Sequence, residues 1–361
     1  MSKVKRIILK GTKYEMGFKY GVTLETELRL SLDILKEFFV NKYQIQIDTL
    51  LSKTDAFYRR YPSAYQDFIK GIADGSTLTL DEVKILNGME TLNSLIVNRS
   101  EVSACAFISI PPFKTKSSTI IGRNYDFHEP FSKIAKYLTV TVLHEENMIP
   151  TAFIAMPGQI YCPSCINQKS LFVEFNNGSP SGGKAVNQNS ESLLIKLLNT
   201  LQNSGSLSEL DTKLKKLDSD YSLIVNVASK ERVQSYEYSS YSGMKTFTPD
   251  EDSVYVSTNF YLNETWESIT PSDENTWLGV SRRDNLLNLA QNVISVSDVM
   301  NMMDKKISDG GGMWNLTIYQ MVYDTGANDL YLKRTLEDEK WEHISMNDMF
   351  LDVVFYHQEE L

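Results

Sequence analysis

Cys105 and the run Gly122-Arg123-Asn124-Tyr125-Asp126-Phe127 hold the residues whose types and spacing could do chemistry. Cys105 stands at the start of a strand-like stretch, Ser103-Ala104-Cys105-Ala106-Phe107-Ile108, after a mainly helical pattern over residues 1–104. A hairpin from this stretch would bring Arg123 and Asp126 beside the thiol. A guanidinium nearby favours the thiolate, which is the nucleophile. If the chain were cut between Ala104 and Cys105, the new α-amine would have a pKa near ~7.7–8.0 and could act as base for its own thiol, ordinarily near ~8.5. No histidine would then be needed. Asp126 would hold the amine, and residues 1–104 would be a pro-segment.

Each of these residues also has a plainer reading. A single cysteine is often a buried structural thiol, and Arg123 with Asp126 could be a solvated turn pair worth little. A Cys105–His128 dyad is a further arrangement, the other histidines being His144, His343 and His357. Cys162-Pro163-Ser164-Cys165 could be a redox pair or half of a zinc site. It lacks a second pair of ligands and a thioredoxin-like surround, so it reads as loop thiols that stand by or line a pocket. Asn177 and Asn259 end strand-like runs, where a side-chain amide can donate to an oxyanion. Turn asparagines are the plain alternative there.

The elements that must position these residues follow from periodicity. Residues 7–9 are strand-like, and residues 14–40 carry apolar positions at helical spacing. A second helical stretch covers 49–73, broken at Pro62. Thr79 and Glu82 form a capping box that opens a third helix, running to about 97. Strands are predicted at 119–123, 138–144, 152–156, 171–175, 222–227, 233–238, 254–257, 317–323 and 329–333. Helices are predicted at 190–202, 206–217, 283–291 and 296–305. This alternation is a layered α+β arrangement. The glycine loops 179–183 and 309–312 lack a following Lys-Ser/Thr, which speaks against a phosphate loop.

Composition narrows the function classes. The chain has 361 residues, enough for one large domain or two, and its 42% hydrophobic content is ordinary for a globular protein. The net charge of −10 is uneven: residues 1–104 hold 15 Lys and Arg against 13 Asp and Glu, and the rest hold 21 against 33. So acidic a body argues against a nucleic-acid surface. The first ten residues lack a signal-peptide core, and no apolar run approaches the ~20 residues of a membrane span. Three cysteines do not make a disulfide framework, and a reducing, cytoplasmic setting is predicted.

Several motifs taken together resemble the acyl-CoA:6-aminopenicillanic-acid acyltransferase-like family of self-cleaving N-terminal-nucleophile (Ntn) hydrolases, relatives of choloylglycine (bile salt) hydrolase and penicillin V acylase. They are Gly11-Thr12-Lys13-Tyr14-Glu15-Met16-Gly17 with Gly21, Gly71-Ile72-Ala73-Asp74-Gly75 followed by Leu86-Asn87, the Gly122–Phe127 run, Asn167-Gln168-Lys169-Ser170-Leu171, Thr258-Asn259, and Ser281-Arg282. The resemblance spans essentially the whole chain. It departs from the family pattern at Ala104 and Ala106, where glycine and threonine are usual, and at Ser170, where glycine is usual. Glycine eases the strained turn of self-cleavage, so alanine predicts slow processing.

The resemblance implies an α+β, four-layer αββα sandwich with a helical N-terminal pro-segment, 1–104, and a catalytic segment, 105–361. It implies Cys105 as nucleophile, Arg123 and Arg282 setting the electrostatics, Asp126 orienting the amine, and Asn259 with Asn177 holding the oxyanion. The implied reaction is hydrolysis or acyl transfer at a linear, non-peptide amide through a Cys105 thioester. The substrate would be a small N-acyl amide or acyl donor, with no cofactor, metal, nucleic acid or membrane. The two cleaved pieces would stay together as a heterodimer, and homo-oligomers are also open. The alternatives are an amidase of lipid amides, of ceramidase or N-acylethanolamine type, and an uncleaved homologue that only binds an acylated ligand.

Overall fold

The structure is a computed structural model that describes residues 3–96, 104–127, 129–187, 189–267, 270–336 and 339–351. His128 and His357 lie outside the described residues. Among the described residues the strands are β1 (Lys5–Lys10), β2 (Cys105–Ile110), β3 (Ile120–Asp126), β4 (Thr139–His144), β5 (Thr151–Ala155), β6 (Ser164–Asn167), β7 (Phe172–Asn177), β8 (Leu223–Ala228), β9 (Val233–Ser239), β10 (Gly243–Phe247), β11 (Tyr255–Ser257), β12 (Thr317–Asp324), β13 (Asp329–Arg334) and β14 (Glu342–Ser345). They form an eight-stranded sheet, β1-β4-β5-β6-β7-β8-β9-β10, and a six-stranded sheet, β11-β2-β3-β12-β13-β14.

The two sheets face each other. Phe107 of β2 stacks on Phe172 of β7 with ring centroids 6.2 Å apart, and the hydroxyls of Ser164 and Tyr319 meet at 3.1 Å. Helices cover both outer faces. Leu193–Gln202 and Leu207–Leu214 lie on the larger sheet, where Tyr238 donates to the Leu214 carbonyl at 2.7 Å. Gly279–Leu289 and Val296–Met303 lie on the smaller sheet. Helix, sheet, sheet and helix make the four layers, as the α+β reading expected.

This layering explains why β2 and β3 are buried along their whole length. Alternate residues of a strand face opposite ways. Cys105 and Phe107 turn toward the other sheet, while Ala106, Ile108 and Ile110 join Val299, Met302 and Met303 under the helices.

The leader is helical after its first strand: Lys13–Thr23, Glu25–Lys36, Ile47–Tyr58, Ser63–Gly75, Leu80–Asn87 and Met89–Ile96. The stretch read as one helix over 14–40 breaks at Leu24 and ends in a π-helical turn, Glu37–Lys42. Thr12 and Thr79 both form capping boxes, the second as predicted. β1 pairs parallel with β4 from Lys5↔Thr139 to Lys10↔His144, so the leader supplies an edge strand to the larger sheet. The glycines of the motif Gly17/Gly21 and of Gly71/Gly75 are where helices Lys13–Thr23 and Ser63–Gly75 cross. A Cβ on Gly17 would overlap the Phe68 carbonyl, and one on Gly71 the Tyr14 carbonyl. These motif residues therefore set a close helix crossing and lie apart from the chemistry.

Strands β6, β10 and β14 were not predicted. β6 begins at Ser164, directly after Cys162-Pro163, whose turn character masks it, while β10 is a half-exposed edge strand and β14 has only four residues. Among the described residues no helix is long and apolar enough to cross a membrane.

Candidate active site

Cys105 is the first residue of β2, and its direct partner across the antiparallel pair is Tyr125. Its side chain points between the sheets and is 3% exposed. The backbone N–H of Cys105 donates to Asn259 Oδ1 at 3.0 Å, and Arg123 Nη2 lies 3.6 Å from Cys105 Sγ. The first contact spans 154 residues and the second 18, and both come from elements that flank β2. Arg123 is on β3, and Asn259 lies just beyond β11.

Arg123 is fully buried and anchored by the larger sheet. Nη2 donates to the Phe175 carbonyl at 2.7 Å, Nη1 reaches Asn176 Oδ1 at 3.5 Å, and the guanidinium pairs with Glu174. Its charge draws the Cys105 thiol toward ionisation, but burial is the larger influence and pushes the thiol up to about 11. The nearby carboxylates of Asp126 and Glu90 push it the same way.

Asp126 behaves differently from expectation. Its parity on β3 is opposite to that of Arg123, so its side chain turns toward the helix layer. One oxygen accepts from Arg282 Nη1 at 2.5 Å and the other from Thr317 Oγ1 at 2.6 Å. Burial raises its carboxyl against the pull of Arg282. In the uncut chain the Cys105 nitrogen is therefore held by Asn259, and Asp126 forms a buried ion pair behind the strand. Arg282 Nε also donates to the Gly312 carbonyl at 3.0 Å, which ties the Gly310-Gly311-Gly312 loop to the same helix.

The Thr258-Asn259 pair divides its work. Thr258 Oγ1 donates to the Gly279 carbonyl at 3.1 Å, fixing the first turn of the helix that carries Arg282. That helix is entered through two consecutive left-handed residues, Trp277 and Leu278, at φ 54° and 62°. Neither is a residue type that adopts this conformation freely, and such backbone persists only where its surroundings hold it. Asn259 Nδ2 donates to the Asn177 carbonyl at 2.9 Å.

Asn177, predicted as an oxyanion donor, uses its side-chain oxygen to accept from the Ser179 N–H at 2.9 Å. Its contribution at the centre is the backbone carbonyl beneath Asn259. The residue whose side chain reaches Arg123 is its neighbour Asn176, which also donates to Ser257 Oγ at 3.3 Å. Sequence reasoning gave a role to Asn177 at this strand end and none to Asn176, Glu174 or Glu90. The signal available for Glu174 and Asn176 was their shared parity on a strand whose first four residues are otherwise apolar.

Asn167 and Ser170 build a turn away from Cys105. Asn167 Oδ1 accepts from the N–H groups of Lys169 and Leu171 at 3.0 and 3.1 Å, and Ser170 has φ 59°. The position where the resembled family usually has glycine is thus left-handed here and is held by serine. Cys162 and Cys165 correct the loop-thiol reading. They are fully buried, joined as a disulfide with Cα atoms 5.5 Å apart, and Cys165 belongs to β6. Cys105 is the free cysteine. Among the described residues no three His, Cys, Asp or Glu side chains group as a metal ion would require.

No family model matches the chain, and no curated protein sequence matches it. Several solved structures are similar in part, three of them as follows. The Caenorhabditis elegans N-acylethanolamine-hydrolyzing acid amidase orthologue is 11% identical, with TM-score 0.45 over 62% of this chain and 93% of its own. A point mutant of conjugated bile acid hydrolase from Clostridium perfringens is 12% identical, with TM-score 0.43 over 68% and 93%. Penicillin V acylase from Agrobacterium tumefaciens is 12% identical, with TM-score 0.40 over 67% and 86%.

Proposed function

We propose that this protein is a cysteine Ntn hydrolase that cuts itself before Cys105 and then cleaves, or transfers the acyl group of, small linear amides. The observation that carries this reading is the setting of Cys105. A free thiol opens a buried strand, has a guanidinium 3.6 Å from its sulfur, and has its own backbone nitrogen held by a side-chain amide at 3.0 Å.

In the self-cleavage step Cys105 Sγ attacks the Ala104 carbonyl carbon and the Cys105 nitrogen leaves with the thiol proton, giving a thioester. Water then attacks the thioester, releasing the Ala104 carboxylate and restoring the thiol. The liberated α-amine remains in the acceptor field of Asn259 and is the base for the next attack. On a substrate amide, the thiol proton passes through this amine to the departing amine, and the acyl group leaves Cys105 to water or to an acceptor amine. Arg123 stabilises the thiolate. The Asp126–Arg282 pair fixes the strand and helix around it. β1, paired to β4, keeps the leader attached after the cut.

Intact-mass measurement of purified protein after incubation tests the first step, and a panel of N-acyl amino acids, penicillins, bile conjugates and N-acylethanolamines tests the second. Two associated fragments divided at Ala104–Cys105, with an acylated Cys105 trapped from the panel, are the expected results. The burial of Cys105 and its raised thiol pKa favour a second reading, an uncut chain that binds an acylated ligand. A single intact mass with ligand bound and no product would establish that reading instead.

A further inference from the structure

Glu90 is a buried carboxyl that none of the steps above uses. It sits on the leader helix Met89–Ile96, is 4% exposed, and accepts a hydrogen bond from the Tyr125 hydroxyl. Tyr125 is the residue directly across the strand pair from Cys105, and its ring lies 5.3 Å from the Arg123 guanidinium and stacks on Tyr319 at 4.9 Å. The leader thus reaches into the nucleophile centre with a single acid, placed on the same aromatic ring that borders both the thiol and its cation.

We infer that Glu90 is a positioning residue of the nucleophile centre: its carboxylate holds Tyr125 beside Cys105 and competes with the thiolate for Arg123. The inference rests on the reading of Cys105 as nucleophile. Glu90 touches Tyr125 of β3, and its charge is felt by Cys105 of β2, Tyr319 of β12, and Tyr161 and Tyr221 before β6 and β8, while Arg123 opposes its raised pKa. Arg123 is the cation of this group and is ion-paired with Glu174, so Glu90 and the thiolate draw on a positive charge that Glu174 already shares. Burial raises the Glu90 carboxyl to about 7, against the Tyr125 hydrogen bond and Arg123. The leader therefore carries an acid that is neutral on the acid side of neutrality and opposes thiolate formation above it. The Tyr221 hydroxyl, buried and without a hydrogen-bond partner among the described residues, lies in the same tyrosine-rich chamber.

The alkylation rate of Cys105 as a function of pH reads this directly, because Cys162 and Cys165 are bonded to each other. Wild type, Glu90→Gln and Glu90→Asp are treated with iodoacetamide from about pH 6 to about 12, a range that reaches past the raised thiol at about 11, and followed by intact mass. Glu90→Gln is expected to move the midpoint of the profile to lower pH, with alkylation about three- to tenfold faster near pH 8, since lowering the thiol pKa by about 0.5 to 1 raises the thiolate by that factor. Glu90→Asp, which keeps the charge, is expected to hold the wild-type midpoint. An unchanged or raised midpoint in Glu90→Gln overturns the inference. So does a rate raised by one factor at every pH, which would mean that the substitution only opens the core. The same spectra report whether the chain is cut. A wild type left intact at every pH counts against self-processing, while the midpoint comparison still decides the role of Glu90.

Discussion

On one face of β2 and β3, Ala106, Ile108, Ile110 and Ile120 pack with Val299, Met302 and Met303. On the other face of the same two strands lie Cys105, Arg123 and Tyr125, with Glu174 and Glu90 reaching in from the opposite sheet and the leader. Both faces exclude water, yet one is mainly hydrocarbon, with the Asp126–Arg282 pair at its end, and the other holds a thiol, a guanidinium, a phenol and two carboxyls. The apolar face gains free energy from burial. The polar face costs desolvation that only its mutual hydrogen bonds and ion pairs offset. The comparison teaches that the outer face holds the strands in register so that the inner face can keep charges in an arrangement unfavourable by itself.

The sharpest way to separate the faces is to remove the thiol. Cys105→Ala should leave one uncut chain with no amidase activity and nearly unchanged melting, read by intact mass and by the substrate panel. Retained activity would remove Cys105 from the chemistry.

Asp126 lies on the parity of the apolar face yet is charged, so it tests the boundary between the two. Asp126→Asn leaves Arg282 buried without its counter-charge and should cost about 3–5 kcal/mol in a denaturant titration. Replacing both partners by apolar residues, Asp126→Leu with Arg282→Met, should recover most of that stability and, because the pair only fixes the strand and helix around Cys105, most of the processing too. Recovered stability without processing would place the pair in the chemistry.

Ile108→Ala deletes packing from the apolar face, where Ile108 is fully buried, and should cost about 2–5 kcal/mol. Below the new midpoint of unfolding, kinetics should stay near wild type. A loss of turnover larger than the loss of folded protein would mean that the two faces are not separable.

Buried carboxyls, Glu90 on the polar face and two elsewhere, also predict how stability varies with pH. Burial raises Glu90 and Glu237 to about 7 and Asp220 to about 6, all above ordinary carboxyls. A raised carboxyl binds more protons folded than unfolded, so its contribution is present at low pH and is lost as pH rises toward the folded value. The melting temperature should therefore fall between pH 5 and 7.5 (assay conditions). Glu237→Gln should flatten part of that slope, because Glu237 accepts from the Asn263 N–H and from Trp266 Nε1 and so pins the segment just after Asn259. A flat profile in the wild type would contradict the burial of these groups.

The smallest effect is expected from the disulfide. Cys162→Ser with Cys165→Ser opens a very short loop and should cost about 2 kcal/mol or less, with processing retained. Loss of processing at unchanged stability would place the pair in the chemistry.

Much of this architecture was legible in the chain because its signals are local. The capping box at Thr79 and Glu82, the break at Pro62 and the alternating strands each depend on a few adjacent residues. Residue type and place near a strand end singled out Cys105, Arg123 and Asp126, whereas Asn259 and Arg282 were given their roles only by the family resemblance. Three things were not legible. Strand β6 hides behind a turn-like Cys162-Pro163, and pairing of β1 with β4 is a contact across more than a hundred residues. Glu90 reads on its own helix as an ordinary early-turn acid.

What residue types and short-range spacing determined is the set of chemical groups and the elements that carry them, because helix caps, strand alternation and turns are fixed by neighbours. What only the tertiary structure decided is which face each group presents and what it meets there. A strand turns successive side chains to opposite sides, so one step in register sends Arg123 to the thiol and Asp126 to the helix layer. The same parity brings the Asn176 side chain to Arg123 and leaves Asn177 to cap its own turn. Which side becomes the inside depends on the second sheet, assembled from strands distant in sequence, and on a leader that closes over it.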